Sequence, residues 1–309
     1  MTNLDATPAA VSPVRPEART TVDEPPESRL TRARRSWRRN AGWRYVILTI
    51  AVLVSVFPFY WMFVVASNSN AIMSQFPPRV IPGPNFLDNA RLAIEGVPFV
   101  SALGNSFIVA SAITLSVLFF STMAGFAFAK MRFRGRTGLF TFVLGTMLVP
   151  QTLGLIPLFI LMGNFGWVGE LRAVIVPSLV TAFGVFWMRQ VVAGSVPDEL
   201  LEAARMDGCS IFGLVRHVVW PSVRPGAAVL GLYTFLFAWN DFLWPLVVLG
   251  NTPSNHTIQI ALRTLSDTYY VNYSMVMAGT LLSVVPLLVA FVLFSRQMIA
   301  GAMEGAVKG

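Results

Sequence analysis

Residues 195–226 read SVPDELLEAARMDGCSIFGLVRHVVWPSVRPG, a long polar interval between two strongly apolar segments of the chain. Ser195 is placed to accept a hydrogen bond from the Asp198 backbone as a helix N-cap. Pro197 follows where a missing N–H costs nothing, and Asp198 and Glu199 suit the positive end of the helix dipole. Leu200, Leu201, Ala203, Ala204 and Met206 then predict one short helix with a small-residue face. Gly208 supplies the left-handed conformation that ends it. Ser210 caps a second helix, expected to run to Trp220 and stop at Pro221. The pattern is helix, glycine elbow, helix, set between apolar runs, and so compact a part in such a place suits docking onto another molecule.

Outward from this stretch, the composition is that of a membrane protein. Of 309 residues 55% are hydrophobic and 12% charged, against about a quarter charged in soluble domains, and the mean hydropathy is +0.63. Six apolar runs approach or exceed the roughly 20 residues that a helix needs to cross a bilayer: 45–66, 104–129, 138–162, 171–191, 226–249 and 274–295. The first is too long, and its preceding tail too extended, for a signal peptide. The formal charge of +8 does not point to nucleic acid, because the basic residues cluster at the ends of apolar runs rather than along one face. The second helix of 195–226 is mostly apolar and carries only Arg216 and His217, so a DNA-reading helix-turn-helix is rejected as well.

Residues 1–40 form a separate basic N-terminal tail, expected to be disordered and cytoplasmic, ahead of a transmembrane domain at 41–309. Within the tail Arg29, Arg32, Arg34, Arg35, Arg38 and Arg39 are interleaved with Trp37, and Arg44 and Trp43 follow. Two readings stand: contact with anionic lipid headgroups, or a topology determinant with interfacial tryptophans. Counting Lys and Arg by side gives seventeen on the side of 29–44, 130–136, 189–224 and the C-terminal tail, and four on the side of 67–101, 163–172 and 251–272. The positive-inside rule makes the first side cytoplasmic. The expected fold is an all-α membrane protein with six transmembrane helices, both termini cytoplasmic, and the 195–226 loop joining helices 4 and 5 on the cytoplasmic face. Outside, 68–100 is proline-rich with one short helix expected near 87–94. The polar 251–272 loop could reach an external partner, with His256 expected at the surface.

No G-x-x-x-x-G-K-[ST] phosphate loop occurs, so the chain is not expected to be its own ATPase. No catalytic triad or paired-carboxylate arrangement stands out, and no histidine and cysteine cluster supports a metal. Cys209 is the one cysteine and reads as a small filler residue. Asp241, in TFLFAWNDFLWPLVVLG, is an expensive charge inside an apolar run and faces either a wet path or the bundle interior. Trp239, Asn240, Asp241 and Trp244 therefore form a candidate solute path, with a helix–helix polar contact as the other reading. Pro150, Gln151 and Pro157 invite the same pair of readings.

Glu202-Ala203-Ala204, Asp207-Gly208 and the later Trp220-Pro221 resemble the EAA loop of the membrane subunits of bacterial binding-protein-dependent ABC importers. A proline stands after a tryptophan at 220–221 where an aliphatic residue is common before it, a mild departure. Asn105-Ser106, Phe133-Arg134-Gly135-Arg136, Trp239-Asn240-Asp241-Phe242 and Gly305-Ala306-Val307-Lys308-Gly309 are similar to the carbohydrate-uptake branch, the second permease of maltose- and glycerol-phosphate-type systems. The resemblance covers about 40–309. It implies a multi-pass subunit of the bacterial cytoplasmic membrane, surrounded by lipid and paired with a second permease subunit in a heterodimer. It further implies two cytoplasmic ATPase subunits that carry ATP and Mg, so that this chain binds no cofactor, and an extracytoplasmic solute-binding protein. Glu202, Ala203, Ala204, Asp207 and Gly208 would then be ATPase-coupling residues, the 251–272 loop would probe the binding protein, and the C-terminal tail would reach the ATPase interface. The expected function is import of a sugar or related solute. A polyol or glycerol-phosphate is the nearest alternative, an ion-driven secondary transporter a more distant one, and a membrane enzyme the most distant.

Overall fold

The structure is a computed structural model that describes residues 41–266 and 271–307; the tail at 1–40 and the last two residues lie outside it. Among the described residues every regular element is helical. The chain divides into two compact units, Met1–Pro58 and Phe59–Gly309. In the first, the described backbone belongs to helix α1 (Ala41–Ala66), which contains Pro58.

In the second unit the proline-rich 68–98 segment carries a short 3-10 helix, Asn70–Ser74, and one α-helix, α2 (Phe86–Gly96), slightly longer than the expected 87–94. The loop is irregular but not loose. The Asn89 side-chain amide donates to the carbonyls of Ala66 and Asn68 at 2.9 Å each, and that of Asn68 donates to Val64 and Ile81. Helix α3 (Phe99–Lys130) is the central rod, packed mainly on α7 (Ala182–Ser195) and α10 (Trp220–Asn240). Gly125 makes the α3–α7 approach close: a Cβ there would come 2.7 Å from the backbone of Met188 and Arg189. Small residues at such a contact let two backbones gain dispersion where burial of apolar surface gives no advantage over lipid. Val109, Val117, Met188, Val192, Leu214, Val219 and Leu230 fill the core around these helices.

Helices long and apolar enough to cross a membrane unbroken are Gly42–Ala66, Phe99–Lys130 and Tyr273–Val292, the last being the first part of α13 (Tyr273–Val307). The other three apolar runs are bent pairs rather than the continuous helices that their hydropathy suggests. Arg136–Thr146 (α4) meets Gln151–Asn164, whose α-helical part is α5 (Leu155–Asn164), at 87°. Arg172–Ser178, which begins with α6 (Arg172–Ile175), meets α7 at 42°, and Ile211–Asn240 meets α11 (Leu243–Leu249) at 50°. Two of the breaks have a stereochemical cause. Pro150 cannot donate to Thr146, and Pro245 cannot donate to Asp241, while each ring crowds the carbonyl four residues back. In both cases the preceding helix has ended by that position. If each bent pair is one crossing, the helices suffice for six spans.

Candidate functional site

The 195–226 stretch folds largely, but not wholly, as its residues predict. Helix α8 (Asp198–Met206) carries Asp198 and Glu199 in its first turn and Arg205 in its last. Ser195 is not its cap: α7 continues through Ser195, and the extended Val196 and Pro197 make the corner instead. Val196 is buried, and the residue before a proline is biased toward extended backbone, so the helix starts two residues later than a cap at Ser195 requires. The N-cap position is Pro197, which offers no side-chain acceptor. Asp198 turns elsewhere, pairing with Lys130 Nζ at 2.7 Å.

At the other end Gly208 adopts φ +79°. Its N–H donates to Arg205 and that of Cys209 to Ala204, at 3.0 Å each, the paired bonds of a Schellman termination that satisfy carbonyls left free by the helix end. Ser210 then accepts from the Gly213 N–H at 3.2 Å and starts α9 (Ile211–Leu214). The second helix does not stop at Pro221. A π turn, Val215–Val219, intervenes, with the Trp220 N–H bonded to Val215, and the helix goes on as α10. Bonding five residues back opens the ladder just where Pro221 has no N–H to give, and the Ser222 hydroxyl donates to the Val218 carbonyl at 2.8 Å. The elbow is thus continuous with the Ile211–Asn240 rod.

The faces of α8 have distinct roles. Leu201, 3% exposed, plugs into the core, and Ala204 and Cys209 pack beside it. Asp198, Glu202 and Arg205 stand over a cavity of about 540 Å3 whose other walls are Ala129, Lys130, Arg132 and Arg136. Leu200, Ala203, Asp207 and Gly208 are exposed, and Met206 is 88% exposed. A helix that buries one leucine and displays an apolar-to-small surface outward has the form of a docking element.

The residues of the second candidate site each have their own surroundings around the break between α10 and α11. Trp239 is 1% exposed and stacks on Phe235 at 5.7 Å between centroids, with no partner for its Nε1 among the described residues. Trp244 Nε1 donates to the Ala173 carbonyl at 3.0 Å, tying α11 to α6. Asn240 is exposed, donating to Leu236 at 2.8 Å and accepting from Gln259 Nε2 at 3.4 Å. Asp241 stands at the break between α10 and α11, where its carboxylate accepts from the backbone N–H groups of Phe242 and Trp244. Sequence reasoning missed Gln259 here and Lys130 beside α8; pairs so distant along the chain leave no local signal.

On the opposite end of α3, Asn105 donates to the carbonyls of Ser254 and His256 at 3.0 and 3.1 Å, and Ser106 accepts from the Ile258 N–H at 2.8 Å. His256 is buried, not at the surface as expected, with its Nε2 3.2 Å from the Gly250 carbonyl. The start of the 251–272 loop is therefore clamped, leaving Asn251, Pro253 and Ser254 exposed at its tip.

Residues 118–297 match the family described as binding-protein-dependent transport system inner membrane component. The chain belongs to this family. It is 33% identical to the arabinooligosaccharides transport system permease protein AraQ of Halalkalibacterium halodurans, over 89% of this chain and 97% of that protein. It is 32% identical to the lactose transport system permease protein LacG of Rhizobium radiobacter, over 86% and 95%. The sn-glycerol-3-phosphate permease UgpE of Brucella abortus is 29% identical over 84% and 95%. The fold is shared with a chain in the crystal structure of a bacterial ABC transporter that imports the polysaccharide alginate (TM-score 0.73, 22% identity, 85% of this chain and 97% of that one). The chain is an inner-membrane permease subunit that works with other components of an ABC importer.

Proposed function

We propose that this permease spans the membrane six times with both termini cytoplasmic, and that it imports a sugar or short oligosaccharide delivered by an extracytoplasmic solute-binding protein. A second permease subunit completes the pathway, and two separate cytoplasmic ATPase subunits hold ATP and Mg. One observation carries the coupling assignment: α8 is an exposed, well-terminated helix joined by the Gly208 elbow to the 30-residue Ile211–Asn240 helix. Glu202, Ala203, Ala204, Asp207 and Gly208 form the part on which the ATPase acts. Ala203 presents almost no side chain to a partner surface, Glu202 offers a charge to a basic group, and Gly208 permits the bend. Closure of the ATPase pair on ATP displaces α8, the elbow carries that displacement into α10, and the pathway opens toward the binding protein. The solute passes the unwound break at Asn240 and Asp241, beside Trp239 and Trp244, where a polar side chain and free backbone groups are tolerated because they line a wet path.

Oligosaccharide and lactose transport in the names of relatives favours a sugar, whereas glycerol-phosphate in others favours a small phosphorylated polyol. Tagged chain purified from its native membrane decides between them. The binding protein recovered with it is screened against sugars, polyols and glycerol-phosphate by thermal shift. Stabilisation by a sugar is expected. Stabilisation by glycerol-phosphate alone moves the assignment to the second class, and ion-driven uptake without any ATPase in the complex overturns both.

A further inference from the structure

Helix α8 is held to the body of the protein unevenly, and the asymmetry gives it a pivot. At its first turn Asp198 accepts from Lys130 Nζ at 2.7 Å. Lys130 is the last residue of α3, and its side chain is only 10% exposed although that of Asp198 is 73% exposed. The neighbours Ala129 and Met131 pack against the main core, so the ammonium group is presented from a fixed stem rather than a floating one. Four and seven residues further along the same face, Glu202 and Arg205 stand over the 540 Å3 cavity with no ion pair among the described residues. The far end of α8 leads through Gly208 into the helix that contains α10. The tie stands at the rim of that cavity, which runs on beneath Glu202 and Arg205 where no such tie is made among the described residues.

We infer that the Lys130 and Asp198 pair is the fulcrum of the coupling helix, the point on α3 about which α8 turns when the ATPase pushes it, so that the motion is delivered through the elbow to α10. This rests on the coupling assignment given above. Both residues are positioning residues: neither touches solute or nucleotide. The pair opens to solvent on its Asp198 side, 73% exposed, and an ion pair wetted in this way contributes little to stability, about 0–1 kcal/mol, so Lys130→Met, which keeps the packed stem, leaves folding and assembly intact while removing the reference point. Without the tie, a push on α8 slides the whole helix over the cavity instead of rotating it.

The test uses the complete importer, purified through this chain, with reactive cysteines removed from the partner subunits. One spin label goes on the native Cys209 at the elbow, a second on Arg134→Cys between α3 and α4, and the inter-label distance is measured with and without ATP and vanadate. In the otherwise unaltered chain the trapped nucleotide shifts the distance. In Lys130→Met the resting distance and the basal ATP hydrolysis stay as they were and the shift is lost. Lys130→Arg, and the exchanged pair Lys130→Asp with Asp198→Lys, recover it. If Lys130→Met shifts as far as the unaltered chain, or changes the resting distance as well, the fulcrum is wrong. If the unaltered chain itself shows no shift, the coupling assignment fails first.

Discussion

Glu202 and Asp241 are both carboxylates in opposite surroundings, one on an exposed helix and one at a break inside an apolar run. Glu202 lies on an exposed helix, faces a cavity with Arg132 and Arg136 across it, and has no ion pair among the described residues. A charge left unpaired in the isolated chain is available to a basic group on the ATPase. Glu202→Ala is expected to insert and assemble normally, and to lower solute uptake several-fold at unchanged ATP turnover; the ratio of the two in proteoliposomes is the measurement. Normal uptake per ATP removes Glu202 from the coupling set. Asp241 already accepts two backbone N–H bonds at the start of α11, and asparagine caps a helix about as well as aspartate. Asp241→Asn therefore keeps its melting temperature, and any loss of transport reports the charge on the solute path rather than the cap. Unchanged transport leaves Asp241 a capping residue only.

At the scale of elements, the elbow is the most demanding piece of backbone in the coupling site. A side chain at Gly208 has open space around it, yet a residue with a Cβ held in the left-handed region costs roughly 1–2 kcal/mol. Gly208→Val is expected to leave the core intact, because nothing is displaced, and to fray the link between α8 and α9. Faster amide hydrogen exchange at Cys209 and Ser210, with the exchange of α3 unaltered, is the sign. Unaltered exchange at the elbow contradicts the strain argument. This site was legible because its signals are local: two acidic residues opening a helix, a glycine closing it and a serine capping the next. The misplaced cap at Ser195 and the misplaced stop at Pro221 have a common origin. In each a proline reshapes the backbone beside it: Pro197 biases the buried Val196 toward extended backbone, and the π turn opens the ladder where Pro221 has no N–H to give, so that the helix goes on.

For the whole molecule, hydropathy located every apolar run, since that signal depends on composition alone. It could not locate the 87° bend between α4 and the following helix pair, because a proline inside an apolar run is tolerated in one helix, as Pro286 is in α13, and breaks another. The clamp of Asn105 on the 251–257 segment joins residues about 150 positions apart, and the Lys130 tie to Asp198 spans 68; neither leaves a trace in the neighbouring sequence. What these long-range contacts build is a framework around α3 that presents α8, the proposed coupling helix, at its surface. The most direct measurement of that claim places a single cysteine on α8, as Ala203→Cys in a Cys209→Ser background, in the importer purified from membranes. A short thiol cross-linker is expected to join this chain to the ATPase subunit and, once formed, to stop ATP-driven uptake. Cross-linking to lipid-facing or extracytoplasmic proteins, with none to an ATPase, would contradict it.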